Sequence, residues 1–262
     1  MSSLHSRAWA NLQDELDLWS DSNNSATFWW RDDDATRETA ELKRLDSLSQ
    51  DLGIPLALAS IPSLLDNSLP AYLSGRNNFT VFQHGYSHSS YAAEGIKRIE
   101  VGGERSTDEI QTQLTTGLQK MQDSFIDQFL PVLVPPWNRI ESRAYAALVS
   151  AGFCGVSSMW ARASEYPAEG LLQVNTHLDP VNWRHDRGFI GESISIAHIC
   201  KHLIGRRSGG QTSNEPTGIL THHLAQTEDV WVFTGKLMRK LSEHPAVEWL
   251  DARSIWADGM TG

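Results

Sequence analysis

Two histidines four positions apart, His84 and His88, have a spacing that lets both imidazoles bind one metal ion. They directly follow the apolar run 79–82, which predicts a buried strand that ends in a polar loop. Neutral imidazole nitrogen is a common zinc ligand, with a Zn–N distance of about 2.0–2.1 Å. Because the chain has 10 histidines, this pair alone does not establish a metal site, and a third ligand is needed from elsewhere.

Three consecutive carboxylates, Asp32, Asp33 and Asp34, follow the apolar run 26–30. Adjacent carboxylates repel one another, so a fold that keeps them usually offsets their charge with a cation or with shifted pKa values. The alternative is a solvated turn in which Asp34 caps the next helix. One of these carboxylates and the two histidines would form a three-ligand set, which leaves positions open for water or substrate and is typical of catalytic zinc sites.

Hydrolysis at such a site also needs a base and an acid. A bound metal lowers the pKa of water toward about 7 and polarises a carbonyl oxygen. Cleavage of an ester or amide still requires a base for that water and an acid for the leaving group. A second carboxylate of the triplet could be the base, and a histidine of the pair His222 and His223 could be the acid.

The segments between these residues alternate between apolar runs and helical patterns. We predict strands at 26–30, 54–59, 79–82, 131–134, 153–157, 171–175 and 218–221, and helices that include 107–129, 141–150 and 194–204. Such alternation is typical of a mainly parallel sheet or barrel of the α/β class. In these folds, ligand and catalytic groups collect at the carboxyl ends of the strands. We therefore expect the acidic triplet, both histidine pairs and the corner 135–138 to line one cleft.

Length and composition limit the possible functions. The chain has 262 residues, of which 40% are hydrophobic, and no linker-like segment divides it. We therefore expect one domain over 1–262, with an amphipathic helix at 1–22 packed on it. A net charge of −10 argues against nucleic acid or an anionic membrane as partner, because both require a basic face. A small-molecule or carbohydrate substrate is expected instead, and the choice between monomer and homo-oligomer stays open.

The sequence also predicts where the protein is located and the state of its two cysteines and of the other histidines. Residues 1–20 lack the apolar core of a signal peptide, and no run reaches the roughly 18–20 apolar residues of a membrane span, so we expect a cytoplasmic protein. Cys154 and Cys200 are expected to be free thiols. His177 could enter the cleft. Solvated side chains are expected for His5, His185, His198, His202 and His244.

The order of these motifs resembles the polysaccharide deacetylase family, the NodB-homology domain of carbohydrate esterase family 4. That family has a strand ending in Asp-Asp, a His-x-x-x-His motif, an Arg-x-Pro-aromatic motif, a motif with Asp and Trp, and a late Leu-x-His motif. Here, between about residues 26 and 224, the same order is given by Asp33-Asp34, His84 with His88, Pro135-Pro136-Trp137, Asp179 with Trp183, and Leu220-Thr221-His222. The resemblance implies a distorted (β/α)7 barrel and a metal-dependent deacetylase that hydrolyses non-peptide amide bonds.

The resemblance also implies roles for individual residues. Asp33 would be the general base and His222 the general acid. Asp34, His84 and His88 would bind the metal. Zinc is the first choice, and cobalt, nickel, manganese or iron also suit this ligand set. The residues implied to shape the substrate pocket are Pro136, Trp137, Asn138, Asp179, Trp183 and His223. The other register of the triplet, with Asp32 and Asp33 as the pair, stays open.

Two positions depart from the family pattern. Val134 stands where the family usually has an arginine, so another cation, Arg31 or Arg184, would have to tune the charge of the base. His223 stands where an aspartate usually follows the late histidine, so His222 and His223 could exchange roles. These departures suggest a divergent branch. Because no secretion signal is recognised, we expect it to act on a cytoplasmic N-acetylated sugar, a glycolipid precursor or another small amide rather than on cell-wall polymer.

Three other interpretations use the same residues. The segment 32–36 fits D-x-D-x-T and resembles the haloacid dehalogenase phosphatases, with Asp32 as nucleophile, Asp34 as acid/base and Mg²⁺ as cofactor. A second interpretation is a metal-free amidohydrolase of the same fold that acts on ureides. A third is a non-catalytic carbohydrate-binding domain, in which Trp137 and Trp183 stack on sugar rings.

Overall fold

The computed structural model describes residues 2–183, 187–209 and 213–257. Strands and helices alternate along the chain. The helices are α1 (Ser2–Asp21), α2 (Ala40–Leu52), α3 (Ser68–Leu73), α4 (Thr107–Phe125), α5 (Tyr145–Ala151), α6 (Glu192–Arg207), α7 (Glu228–Ser242) and α8 (Ala252–Ile255). The strands are β1 (Ala26–Ala35), β2 (Leu56–Ser60), β3 (Phe79–His84), β4 (Phe129–Val134), β5 (Gly155–Val156), β6 (Leu172–Gln173), β7 (Thr217–Thr221) and β8 (Val247–Trp249).

All of these strand pairs are parallel, and the sheet runs in the order β6-β5-β4-β3-β2-β1-β7, with β8 also paired to β1. A further bridge between Leu178 and Ile219 links the continuation of β6 to β7, so the two ends of the sheet approach each other. The sheet therefore curls into a partly closed barrel surrounded by helices. This confirms the predicted (β/α) barrel.

Two apolar clusters lie on opposite faces of the sheet. The cluster inside the barrel contains Trp29, Phe82 and Trp256, whereas Phe28 and Trp30 belong to the cluster between the sheet and the helices. Successive side chains of a strand point to opposite faces, so the residues of β1 are sorted alternately between these two environments. The same alternation continues through Asp32 and Asp33 and is broken at Asp34, where the φ angle is positive and the register with β2 shifts.

The predicted helix 107–129 is too long. A capping box, in which Ser106 and Glu109 exchange hydrogen bonds, begins α4, and the helix ends at Phe125. A 3₁₀ turn over Ile126–Gln128 follows, and β4 begins at Phe129, two residues earlier than the predicted start at 131. The apolar residues at this junction fit the end of a helix and the start of a strand equally well, and periodicity alone does not separate them.

The N-terminal helix packs on α6. The Trp9 indole donates to Glu192 at 2.6 Å, and Arg207 forms a hydrogen-bonded ion pair with Glu15 at 2.9 Å. Cys154 and Cys200 are both free thiols. Within the part of the chain that the structure describes, no helix is both long enough and apolar enough to cross a membrane.

Candidate metal and acid–base site

Asp33 faces the barrel interior at the carboxyl end of β1, where it is 1% exposed. Arg31 lies two residues earlier on the same face and binds both carboxylate oxygens, with Nε donating to Oδ1 at 2.9 Å and Nη2 donating to Oδ2 at 3.0 Å. The same guanidinium donates to Ser157 Oγ at 2.7 Å and to Asn138 Oδ1 at 2.7 Å. Arg31 is therefore the cation that pairs with Asp33, whereas Arg184 lies outside the described residues.

Asp32 points to the opposite face of β1. Its carboxylate accepts hydrogen bonds from Thr221 Oγ1 at 2.7 Å, from the His223 backbone N–H at 3.0 Å and from His223 Nδ1 at 2.5 Å. Burial lowers the pKa of His223, but the charge and hydrogen bond of Asp32 more than offset this effect, so that pKa is raised. The predicted substrate contact of His223 is therefore wrong, because this side chain is buried against Asp32 outside the barrel. For the same reason, Asp32 is not placed to act as a nucleophile in the cleft.

Asp34, His84 and His88 bring one ligand atom each to a common point. Asp34 Oδ1 lies 3.1 Å from His84 Nε2 and 3.4 Å from His88 Nε2. His84 is the last residue of β3, and His88 lies in the loop that follows. Both Asp34 and His88 have positive φ angles, 72° and 56°, which are uncommon for residues other than glycine. The backbone is thus bent at both positions, and the bend turns these two side chains toward His84.

The donor set fits a divalent metal. The Val134 carbonyl can only accept, so His84 Nδ1, 2.9 Å away, carries a hydrogen, and Nε2 is the nitrogen that would supply a lone pair to a metal ion. Asp34 Oδ1 is buried without a hydrogen-bond donor. Without a metal, burial raises the pKa of Asp34, but a hydrogen bond from protonated His84 and the positive charge of the nearby histidines lower it further. A metal ion at this point would take the place of that positive charge. Two donors of a tetrahedral zinc ion lie about 3.3 Å apart, which agrees with the separations seen here.

His222 follows β7 and stands between two carboxylates. Its Nε2 is 4.0 Å from Asp33 Oδ2, and its Nδ1 is 3.6 Å from Asp179 Oδ2. Asp179 is itself fixed, because its oxygens accept from the Val181 backbone N–H at 2.9 Å and from the Trp183 indole at 2.6 Å. Burial is the main reason why the pKa of Asp179 is raised. His222 is therefore the histidine of its pair that lies in the cleft.

The corner after β4 divides into residues that border the cleft and residues that support it. Trp137 contacts His88 edge to face, with ring centroids 4.7 Å apart, and Trp183 contacts His222 in the same way at 4.7 Å. The predicted pocket residue Asn138 instead uses its side-chain oxygen to hold Arg31. Pro136 packs on Gly85, where an added Cβ would lie 2.6 Å from the proline ring. The two tryptophans thus flank the site, and Pro136 and Asn138 fix the elements around it.

A second cluster of two histidines and a carboxylate was missed by the sequence analysis. His177, His202 and Glu215 are all buried, and their ligand atoms lie within 4.8 Å of one another. His202 and His244 were expected to be solvated, and both expectations are wrong. The side chain of His202 packs against β7, and that of His244 is buried beside Asp17. His177 lies in this cluster and not in the cleft. The buried carboxylate of Glu100, which contacts the loop before His88, was also missed.

Comparisons with known proteins support the fold. No family model and no curated protein sequence matches the chain. A structure from Mycobacterium smegmatis, provisionally named a polysaccharide deacetylase, is similar with a TM-score of 0.67 and 12% identity over 90% of each chain. A family 4 acetyl xylan esterase from Clostridium thermocellum, solved with a cobalt ion, has a TM-score of 0.55 and 12% identity over 88% of this chain and 90% of that one.

The matched structures also include proteins without activity. A pseudoenzyme of carbohydrate esterase family 4 from Bacillus anthracis has a TM-score of 0.53 and 12% identity over 85% of this chain and 62% of that one. At such low identity the likeness is one of architecture. The chain therefore has the fold of the polysaccharide deacetylases of carbohydrate esterase family 4.

Proposed function

We propose that this protein is a metal-dependent hydrolase that removes the acetyl group from an N-acetylated sugar or a related small amide. The observation that carries the proposal is the convergence of the three ligand atoms of Asp34, His84 and His88 beside Asp33 and His222. A three-ligand site leaves positions open for water and substrate, and the two remaining groups can transfer protons. These five residues lie at, or just after, the carboxyl ends of the parallel strands β1, β3 and β7, which end at the same face of the barrel.

The metal would be held by Asp34, His84 and His88, with zinc as the first choice and cobalt, nickel, manganese or iron as alternatives. When bound, it supplies Lewis acidity, which lowers the pKa of water and polarises the carbonyl of the substrate. The hydrogen bond from His84 Nδ1 to the Val134 carbonyl fixes the tautomer and the ring orientation for this role.

Asp33 is the proposed general base. The bidentate contact with Arg31 fixes the position of its carboxylate, and each oxygen keeps a second lone pair that can accept a proton from water. His222 is the proposed general acid, because it lies beside Asp33 and can donate a proton to the leaving nitrogen. Asp179, on the other side of this imidazole, is proposed to orient it.

The substrate class is proposed from the fold and the borders of the cleft. Among proteins of this fold are an acetyl xylan esterase and a peptidoglycan N-acetylglucosamine deacetylase. Trp137 and Trp183 border the two sides of the site and could stack on a sugar ring. We propose that the substrate is an N-acetylated sugar or a related small amide.

A second candidate function is a non-catalytic carbohydrate-binding domain. The observation that favours it is the pseudoenzyme from Bacillus anthracis, which shares the fold. The residues proposed as base, acid and ligands remain together in this chain, which favours the hydrolase. The phosphatase interpretation is not supported, because Asp32 is buried against His223 on the outer face of β1.

The experiment that tests the proposal measures acetate release from N-acetylated sugars by the metal-loaded protein. We expect turnover that stops when a chelator removes the metal and returns when Zn²⁺ or Co²⁺ is added back. Binding of a sugar by the loaded protein without any acetate release would contradict the hydrolase and would support the binding domain. Acetate release that is unaffected by chelation would contradict the proposed role of the metal.

A further inference from the structure

Glu100 is a buried carboxylate, 1% exposed, that contacts the loop between the two proposed histidine ligands. Its Oε1 accepts hydrogen bonds from the backbone N–H groups of Tyr86 at 2.9 Å and Ser87 at 2.8 Å. Its Oε2 accepts from the backbone N–H of His88 at 3.0 Å. Three consecutive backbone N–H groups thus donate hydrogen bonds to one carboxylate.

The two histidines differ in what holds them. His84 belongs to β3, and Val134 of the neighbouring strand β4 accepts from its ring. His88 lies beyond the strand, in irregular backbone with a φ angle of 56°. A non-glycine residue with positive φ needs contacts that compensate for the steric cost. The hydrogen bond from its own N–H to Glu100 is such a contact.

The loop closes tightly around this carboxylate. Gly85 has a φ angle of 55°, and a Cβ at that position would lie 2.4 Å from Glu100 Oε2. Glycine is therefore required for the loop to approach the carboxylate. Its N–H donates to the Val134 carbonyl at 3.0 Å, so the start of the loop is tied to β4 and its end is tied to Glu100.

We infer that Glu100 is a positioning residue that fixes His88 for metal binding and thereby sets the metal affinity of the site. The inference rests on the proposed function, because it takes Asp34, His84 and His88 as the ligands. Residues that orient metal ligands typically contribute a factor of about 10–100 in metal affinity. Glu100 acts through the backbone of the ligand and does not itself touch the metal.

The test is a double-mutant cycle on the full-length protein, with Co²⁺ as the probe. The dissociation constant of Co²⁺ is measured by chelator competition for the wild type, Glu100→Gln, His88→Ala and the double variant. The exposed residue Glu104 provides the matched control, Glu104→Gln. We expect Glu100→Gln to weaken Co²⁺ binding about 10–100-fold in the wild-type background and to have no further effect in the His88→Ala background. The Co²⁺ absorption spectrum should change with Glu100→Gln and not with the control.

The outcomes separate positioning from general destabilisation. Equal weakening in both backgrounds, or an unchanged affinity in the wild-type background, would overturn the inference. A wild type that binds no Co²⁺ would instead overturn the proposed metal site itself. If circular dichroism shows that Glu100→Gln does not fold, Glu100→Asp serves in the same cycle, since it keeps the charge and shortens the reach to His88.

Discussion

The protein contains two clusters that each consist of two histidines and a carboxylate. They differ in whether a histidine Nδ1 donates or accepts a hydrogen bond. In the cleft cluster of Asp34, His84 and His88, one imidazole Nδ1 faces a backbone carbonyl, which leaves Nε2 free as a metal donor. In the inner cluster of His177, His202 and Glu215, His177 Nδ1 accepts from the Gly218 N–H at 3.0 Å, so Nε2 carries the hydrogen. The hydrogen bond made by Nδ1 of a histidine therefore indicates whether Nε2 has a lone pair free for a metal.

Ring geometry and charge separate the clusters further. The His84 and His88 rings are tilted by 50° with centroids 5.2 Å apart, whereas the His177 and His202 rings are stacked at 3.3 Å and 15°. Two parallel rings at this distance cannot both direct an in-plane lone pair to one ion. Glu215 also accepts two backbone hydrogen bonds, and the charge of Arg206 acts on it, which disfavours a cation there. We therefore expect the cleft cluster to bind the metal used in catalysis and the inner cluster to stabilise the fold.

The largest effect is expected when Asp33, beside the cleft cluster, is replaced, and it is a loss of activity. Asp33→Asn removes the proposed base, so kcat/KM for acetate release should fall about 10²–10⁴-fold. The bound metal should stay at the wild-type level, because the ligands are unchanged. Asp51→Asn, at an exposed carboxylate, is the matched control. A variant that keeps wild-type kcat/KM would show that Asp33 is not the base.

A change in the inner cluster should affect stability instead. Glu215→Gln removes a buried carboxylate that accepts two backbone hydrogen bonds and lies near the charge of Arg206, so the free energy of unfolding should fall by roughly 1–3 kcal/mol. Urea unfolding at pH 7 measures this loss, and the exposed Glu243→Gln should shift the value by less than about 0.5 kcal/mol. Loss of bound metal from folded Glu215→Gln would contradict the division between the clusters.

The inner cluster should also make stability depend on pH. Burial, together with the charge of His202 and Arg206, lowers the pKa of His177 from 6.5 to about 4 despite the opposing effect of Glu215. Between about pH 6.5 and pH 4 the unfolded chain then binds a proton that the native chain does not, so stability falls as the pH falls. Urea unfolding of the metal-free protein at pH 6.5 and 4.5 should show a loss that is larger in the wild type than in His177→Gln by roughly 2 kcal/mol. An equal loss in both proteins would assign the effect to other groups.

The face on which each aspartate lies could not be predicted from the sequence. The strand before the triplet is apolar on both faces, with Trp29 inside and Phe28 and Trp30 outside, so no alternation of polar and apolar residues marks the interior. Three identical side chains in a row add no further information. Once the face of Asp33 is known, Arg31 follows as its partner because residues two apart share a face.

The fold and the order of the motifs could be predicted from the sequence more readily than the face of each aspartate. Strands alternating with helices predict the barrel, and the polar residues at the ends of β1, β3 and β7 predict which groups meet. The inner cluster and Glu100 depend on contacts between loops and helices distant in sequence. No local pattern around Glu100, His202 or Glu215 reports such contacts, which explains why these residues were missed.

The most direct test of the central claim is the metal content of three purified proteins, measured by plasma mass spectrometry. We expect one transition-metal ion per chain in the wild type, none in His84→Ala/His88→Ala, and one in His177→Gln. The account would be contradicted by metal that persists in the first variant, by metal lost from the second, or by a wild type that neither carries nor takes up a transition metal.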